Sequence, residues 1–416
     1  MKEIAVIGAG AAGCFCAVGI ARQHPDWLVS VYEASARPMI KLALTGGGRC
    51  NLTNSFACVF SELDKKPDGS FPSAARARDL SPVYPRGARF MKKIFSRFDQ
   101  NDCCRWFENE GVRLVVQSDQ CVFPLSQDAM QIVRTLDRLM RQYGVKVVCG
   151  QKVTSVEPDI TLHFADGGTA HPDAAVVTSG GATARILEPC GLKLEPPVPS
   201  LFTFKIGDEG LRSLMGTVVQ NVVLKIAGTA FRSEGTLLLT DWGMSGPATL
   251  RLSSYAARWL AGNQYRGQLL VNWLASSESE ASELIAALAR GNSGKMISNC
   301  HPPVLSDRLW KHLISRSGLR EDCRWSELGS KGTARLLNIL TADTYDIIGR
   351  ARFKEEFVTC GGVSLDEVDS ATMGCRHIPG LYFAGEVLDI DAVTGGFNLQ
   401  AAWSTAYLAA KSIATL

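Results

Sequence analysis

The first 33 residues constrain this chain more than any other stretch. Glu3-Ile4-Ala5-Val6-Ile7 is a short apolar run with β-branched residues, the length of one buried parallel strand. It runs into Gly8-Ala9-Gly10-Ala11-Ala12-Gly13 and then a small-residue helix from Cys14 to Arg22. A second apolar run, Leu28 to Tyr32, ends in Glu33. Strand, glycine turn, helix, strand and acid in that order form a dinucleotide-binding fingerprint. Gly8 allows the sharp turn, Gly10 leaves room for a pyrophosphate, and Gly13 lets the helix pack close on the sheet. The amides at the helix start turn the positive end of its dipole toward the phosphates. Glu33 is spaced to accept hydrogen bonds from an adenosine ribose, and a free carboxylate there disfavours the 2′-phosphate of NADP. These residues alone leave FAD and NAD undivided.

The far end of the chain separates the two. Phe357 to Val363 leads to Gly380-Leu381-Tyr382-Phe383-Ala384-Gly385-Glu386, a buried strand ending in a small residue and an acid. Asp389, Asp391, Gly395-Gly396-Phe397-Asn398-Leu399-Gln400 and a closing helix to Ser412 follow. A strand, glycine and acid followed by a glycine turn and helix near the C-terminus suit the ribitol and flavin of FAD. The helix start can stabilise negative charge on a reduced flavin. An NAD enzyme needs no such segment, so FAD is the expected tightly bound cofactor.

Between the ends, Arg37 to Asn54 reads as an ordered loop dense in donors. Gly46-Gly47-Gly48 breaks regular structure, and Thr45, Arg49, Asn51, Thr53 and Asn54 suit a close backbone approach to a ligand. Residues 55 to 87, with four prolines, read as an excursion. Helices are expected from Ala88 to Phe98 and from Gln100 to Glu110, the second capped by Asp99 and stopped at Gly111. Arg76 to Arg97 holds seven basic residues against one acid, Asp79, and reads first as a solvated face. A strand pair over Arg113–Val116 and Gln120–Phe123 precedes a helix capped by Ser126 and running to Tyr143. Strands at 145–149, 152–156, 161–164 and 174–177 follow, the last ending in a second glycine turn at Gly180-Gly181.

Four prolines between Pro189 and Pro199 mark a domain crossing. Strand patterns at 202–206, 217–227, 229–233, 236–239 and 268–273 suggest a β-barrel or sandwich, interrupted by Thr240-Asp241-Trp242-Gly243-Met244-Ser245-Gly246-Pro247 and a helix over 248–261. Residues 278 to 340 read as a small helical subdomain with caps at Ser279, Ser306 and Ser326.

Bulk properties fit a large-cored globular enzyme. The 416 residues are 46% hydrophobic and 20% charged, with a net charge of +3 that implies no global polyanion partner. Thirteen cysteines occur without a C-x-x-C or zinc spacing, which argues for reduced thiols in the cytoplasm and against a thioredoxin-reductase-type mechanism. The N-terminus begins a strand at once, and no apolar stretch reaches membrane-spanning length.

With these residues in view, the chain resembles the bacterial flavoproteins called BaiN-like or YhiN-like, a family that includes aminoacetone oxidase. The resemblance spans nearly the full length. It rests on G-A-G-A-A-G, L-T-G-G-G-R-C-N-L-T-N, M-S-G-P-A and Y-F-A-G-E-V-L-D-I-D-A-V-T-G-G-F-N-L-Q. It implies an α/β fold: an FAD-binding Rossmann-like domain of the glutathione-reductase type, in two segments (1–190 and 351–416). A β-barrel-like domain (191–277 and 341–350) is inserted, and carries the helical subdomain (278–340). It further implies that Val153 meets adenine through its backbone and that Arg49 and the triple glycine approach the flavin. Glu386, Asn398 and Leu399 would bind the ribitol and the pyrimidine edge. The expected cofactor contacts are then Gly8, Gly10, Ala11, Ala12, Gly13, Glu33, Lys41, Thr45, Gly46, Gly47, Gly48, Arg49, Asn51, Val153, Gly180, Gly385, Glu386, Gly396, Asn398 and Leu399, with no metal. Two departures from the family pattern stand out: Asp241 occupies a position that is usually His, and Ala392 one that is usually Gly.

The expected activity is an FAD-dependent exchange of a hydride with a small organic substrate, with NADH or NADPH as transient reductant, in the manner of an enone reductase. An oxygen-dependent amine oxidase is the alternative, and an RNA-associated flavoprotein the rival of another class. Nucleic acid is not the expected partner, because the total charge is small. Asp241, Arg49 and Asn51 are the candidate catalytic residues.

Overall fold

The structure, a computed structural model, describes residues 1–351 and 358–416. It divides into two compact units, Met1–Val198 with Val358–Leu416, and Pro199–Phe357. The expected strand start at Phe357 lies outside the described residues.

The first unit is built on a five-stranded parallel sheet. In chain order its first four strands are β1 (Glu3–Ile7), β2 (Leu28–Glu33), β3 (Lys146–Cys149) and β4 (Ala174–Val177). Across the sheet, Leu381–Phe383 lies beside β4, followed by β1, β2 and β3. β1 is central, pairing Ile4 to Ala174 on one side and Ile4 to Val29 on the other. Its Ile4–Ile7 run is buried on both faces, which is why it reads as continuous rather than alternating. β3 forms the sheet edge, with Val147 and Val148 half-buried and Lys146 and Cys149 exposed. Helix α1 (Ala11–Gln23) is apolar nearly all round because it is pressed between the sheet and the closing helix, Phe397–Ile413. Small residues make that approach possible: a Cβ on Gly19 would lie 2.9 Å from the Ala410 Cβ.

Several local expectations are redrawn. Arg37–Asn54 is not all loop, since α2 (Ile40–Gly48) begins inside it. Helical geometry fails at Thr45, Gly46 and Gly47, where the glycines take positive φ. Residues 55–87 have little regular structure yet are anchored by the buried Phe56, Phe71, Leu80, Val83 and Tyr84. Asp99 caps its helix as expected, with a full capping box. The helix Ala129–Gln142 is capped by Asp128 instead of Ser126, whose hydroxyl accepts from the Asp128 amide. The proline-rich crossing is itself a strand, Leu194–Ser200, paired with Val358–Val363. Among the described residues it pairs with that strand alone, which suits prolines that cannot donate.

The second unit contains a closed six-stranded barrel. Its strands run Phe204–Ile206, Gly243–Ser245, Arg232–Thr240, Val218–Ile226, Gly267–Asn272 and Asp343–Arg350, the last closing on the first. The Thr240–Pro247 segment does not interrupt the barrel. It turns at Asp241-Trp242 and supplies a strand, because a Cβ at Gly243 would strike the Phe204 carbonyl. The expected strands at 229–233 and 236–239 are one strand. Helices Glu278–Gly291, Asp307–Arg316 and Gly329–Ala342 share the barrel's apolar core through Ile285, Trp310, Leu313, Leu336 and Leu340. The first is capped by Ser277, not Ser279, and Ser326 lies in a 3-10 turn.

Candidate functional site

In the first unit three glycine turns follow the carboxyl ends of three adjacent parallel strands: Gly8 after β1, Gly180 after β4 and Gly385 after Phe383. That edge is where open α/β sheets bind ligands. Gly8 has φ 103° and donates to the Tyr32 carbonyl at 2.8 Å. A Cβ on Gly13 would collide with the Gly8 carbonyl, and one on Gly385 would come 2.8 Å from the Ala12 Cβ. These glycines are required by the protein itself. Thr178, which sequence reasoning missed, clamps the turn by donating to the Ile7 and Gly8 carbonyls at 2.9 and 2.8 Å.

Gly10 is different. Its φ is −84°, open to any residue, and a Cβ there would meet nothing within 4 Å. The protein gives no reason for glycine at this position, and a ligand lying across the turn does. Gly10 also caps α1 without any side-chain hydrogen bond, so the first-turn amides around Ala11 and Ala12 are not served by a capping side chain. Glu33 lies alongside: Oε2 accepts from the Ala9 amide and Oε1 from the Ser35 amide, both at 2.8 Å. Anion-seeking amides, an open cradle and an adjacent carboxylate acceptor fit the pyrophosphate and ribose of FAD.

The far segment folds against the same unit. Asn51, with its amide oriented to satisfy both neighbours, donates to the Thr53 carbonyl and accepts from the Gly396 amide. Asn54 donates to the Gly395 carbonyl at 3.0 Å, and Trp403 to the Leu52 carbonyl at 3.0 Å. The triple-glycine region is thereby tied to the start of the closing helix. Asn398 spends its side chain on Ala392, accepting from its amide and donating to its carbonyl, both at 2.9 Å. Leu399 is half-buried beside it. Glu386 accepts from the Thr359 amide at 2.7 Å, with Oε2 facing Gly180. Val153 is buried in its strand, Lys41 is exposed on α2, and the Thr45 hydroxyl donates to the Leu42 carbonyl.

The three candidate catalytic residues are not equivalent. Arg49 is exposed, held 4.5 Å over the Phe123 ring, and donates to the Gly46 carbonyl and Gln127 Oε1. A guanidinium has five donors, so several stay available to a ligand. Asn51 is committed to Thr53 and Gly396. Asp241 belongs to the barrel unit and is exposed at its hairpin turn. Between Arg49 and Asn51, burial pushes the Cys50 thiol up to about 12, and burial likewise raises Cys14 and Cys16 well above the ordinary thiol range. Thiols that stay protonated are poor nucleophiles, so thiolate chemistry is not what this region offers.

A pairing invisible in the sequence joins two distant segments. Arg86 meets Asp391 with two parallel contacts, and Asp391 is fully buried. The same segments are linked by Val393 donating to the Val83 carbonyl and by the Tyr84 hydroxyl donating to the Phe397 carbonyl. A carboxylate inside the apolar run Leu388-Asp389-Ile390-Asp391-Ala392-Val393 was the available signal that a buried cation must answer it.

Comparison with known proteins gives three findings. The family model described as the HI0933-like protein Rossmann domain matches residues 71–412. The chain is 26% identical over 434 residues to a 3-dehydro-bile acid delta(4,6)-reductase of Clostridium scindens, covering 100% of this chain and 99% of that one. It is 29% identical over 423 residues to a ribosomal RNA dihydrouridine synthase of Escherichia coli, covering 98% and 97%. Among solved structures, a 3-ketosteroid delta1-dehydrogenase from Sterolibacterium denitrificans aligns over the whole of both chains with a TM-score of 0.49 and 11% identity. No helix among the described residues is long and apolar enough to cross a membrane.

Proposed function

The chain belongs to the HI0933-like family of FAD-dependent oxidoreductases, and on that premise we propose that it reduces a carbon–carbon double bond conjugated to a carbonyl group. One observation carries the reading. Two relatives that span this chain almost end to end are named for unlike substrates but for one bond change. A 3-oxo group conjugated with a ring double bond and a uracil ring present the same electrophile, a carbon β to a carbonyl. NADH or NADPH is the reductant in this reading.

Bound FAD supplies the two-electron exchange. The chain's own residues bind and orient it: the Gly8–Gly13 turn for the pyrophosphate, Glu33 for the ribose, and the Gly46–Gly48 and Gly395–Leu399 segments for the flavin end. Saturating a conjugated double bond builds negative charge on the carbonyl oxygen, so the site needs a donor aimed at it. Arg49, steadied by Phe123 and Gln127, fits that role.

The first reading of the substrate is a small cyclic enone. A second, uracil within RNA, is favoured by one structural fact: six of the seven basic residues from Arg76 to Arg97 are exposed. The expectation against nucleic acid rested on a small total charge, and a local cluster can outweigh that. The test is product mass. With NADH or NADPH supplied, a cyclic enone or a uridine-containing RNA should gain two hydrogens. Failure with both, alongside turnover of simple amines in oxygen, would replace the reductase reading with an oxidase.

A further inference from the structure

The basic run around α3 (Ala88–Phe95) serves two separate ends. Arg86 is occupied by the buried Asp391, so it cannot act as an anion fork. Beyond it, the first turns of α3 and the segment 365–376 enclose an open groove of about 550 Å³. Arg89, Phe90 and Lys93 line one wall, and Asp366, Ser370 and Arg376 line the other. Arg89, Lys93 and Arg376 are exposed, and none of the three has an ion-pair partner among the described residues. Three unpaired cations against one carboxylate around a concave surface of ligand size call for an anion.

Two neighbours suggest which anion. Phe90 is half-buried and offers an apolar wall of the kind an adenine ring packs on. The groove also abuts the flavin-edge segment, since a Cβ on Gly87 would come 2.7 Å from Ile390, next to Asp391 and Ala392. The fingerprint site, with Glu33 in place, repels a 2′-phosphate. A phosphorylated ribose must therefore be met elsewhere.

We propose that this groove binds the adenosine 2′-phosphate half of NADPH. The proposal rests on the reading that a nicotinamide nucleotide is the reductant. It deepens that reading by assigning the phosphate to Arg89 and Arg376, with Lys93 as a third charge. Arginine presents a planar fork that grips a phosphate at two points, which lysine cannot reproduce.

The test is calorimetric titration of the flavin-loaded protein with adenosine 2′,5′-bisphosphate and, separately, with 5′-AMP. The bisphosphate should bind at least about tenfold tighter, the scale of one charge-assisted hydrogen bond. Arg89→Ala with Arg376→Ala should abolish the preference, whereas Arg89→Lys with Arg376→Lys should keep part of it. Both side chains are exposed, so neither pair of changes threatens the fold. Equal binding of the two nucleotides, or a preference that survives the alanine pair, would overturn the assignment. So would a uridine-containing RNA whose binding collapses in the alanine pair while the bisphosphate is unaffected, because the groove would then hold a nucleic-acid backbone. Anaerobic bleaching of the flavin by NADH and by NADPH tests the reductant reading separately, so the two can fail independently.

Discussion

Replacing Asp391 with alanine is expected to destabilise the FAD-binding unit by about 3–5 kcal/mol, the penalty for leaving a buried charge without its partner. The Asp391 carboxylate is fully buried, and the Arg86 guanidinium that meets it is 13% exposed. Little water can take the carboxylate's place. For a unit of this size the loss corresponds to a Tm drop on the order of 10 °C. The assay is urea unfolding followed by tryptophan fluorescence, repeated in high salt. Because the pair is shielded from solvent, salt should not shrink the difference between wild type and variant. The control is the double variant Arg86→Met with Asp391→Leu, which removes both charges and should recover most of the loss. A single-variant cost below about 1 kcal/mol, the value of a surface pair, would refute the reasoning. So would a double variant as damaged as the sum of the two single changes.

Three further outcomes follow from the same structure. Gly10→Ala should leave the flavin-free protein within about 0.5 kcal/mol of wild type, because the new methyl meets open space, while flavin affinity falls. Equal flavin affinity would mean that no ligand crosses the turn. Glu33→Gln should weaken FAD binding by about 1.5–3 kcal/mol, as expected for hydrogen bonds to a charged group, and an unchanged Kd would move the ribose elsewhere. In the barrel unit, burial pushes the His312 pKa below its ordinary 6.5, opposed by Asp208 and reinforced by Arg316. A histidine held neutral when folded favours folding above the unfolded pKa, and that contribution is lost as pH falls through the folded value. The urea midpoint of this unit should therefore decline below about pH 6.5, and His312→Gln should flatten the decline. A decline just as steep in the variant would assign the pH dependence to other groups.

How much of this was legible in the sequence depended on whether the cause was local. The β1–turn–α1–β2 fingerprint, the Asp99 capping box and the Gly395-Gly396 turn each lie within a few residues of their cause, and so do the motifs that point to the family. The Gly243–Ser245 strand looked like an interruption because its place in the barrel depends on contact with Phe204, some forty residues earlier. Ser126 and Ser279 each sit within two residues of the true cap, and only backbone geometry decides between them. Arg86 and Asp391 are 305 residues apart, and no periodicity connects them. Asn51 read as a candidate catalytic amide because its tie to Gly396 spans nearly the whole chain.

In the proposed reaction, electrons pass from a nicotinamide nucleotide through this protein to a conjugated carbonyl compound. Anaerobic stopped-flow absorbance at the flavin band tests it most directly. NADH or NADPH should bleach the band, simple amines should not, and a cyclic enone or uridine-containing RNA should restore the colour without oxygen. Bleaching by amines, with recovery only on admitting oxygen, would contradict it.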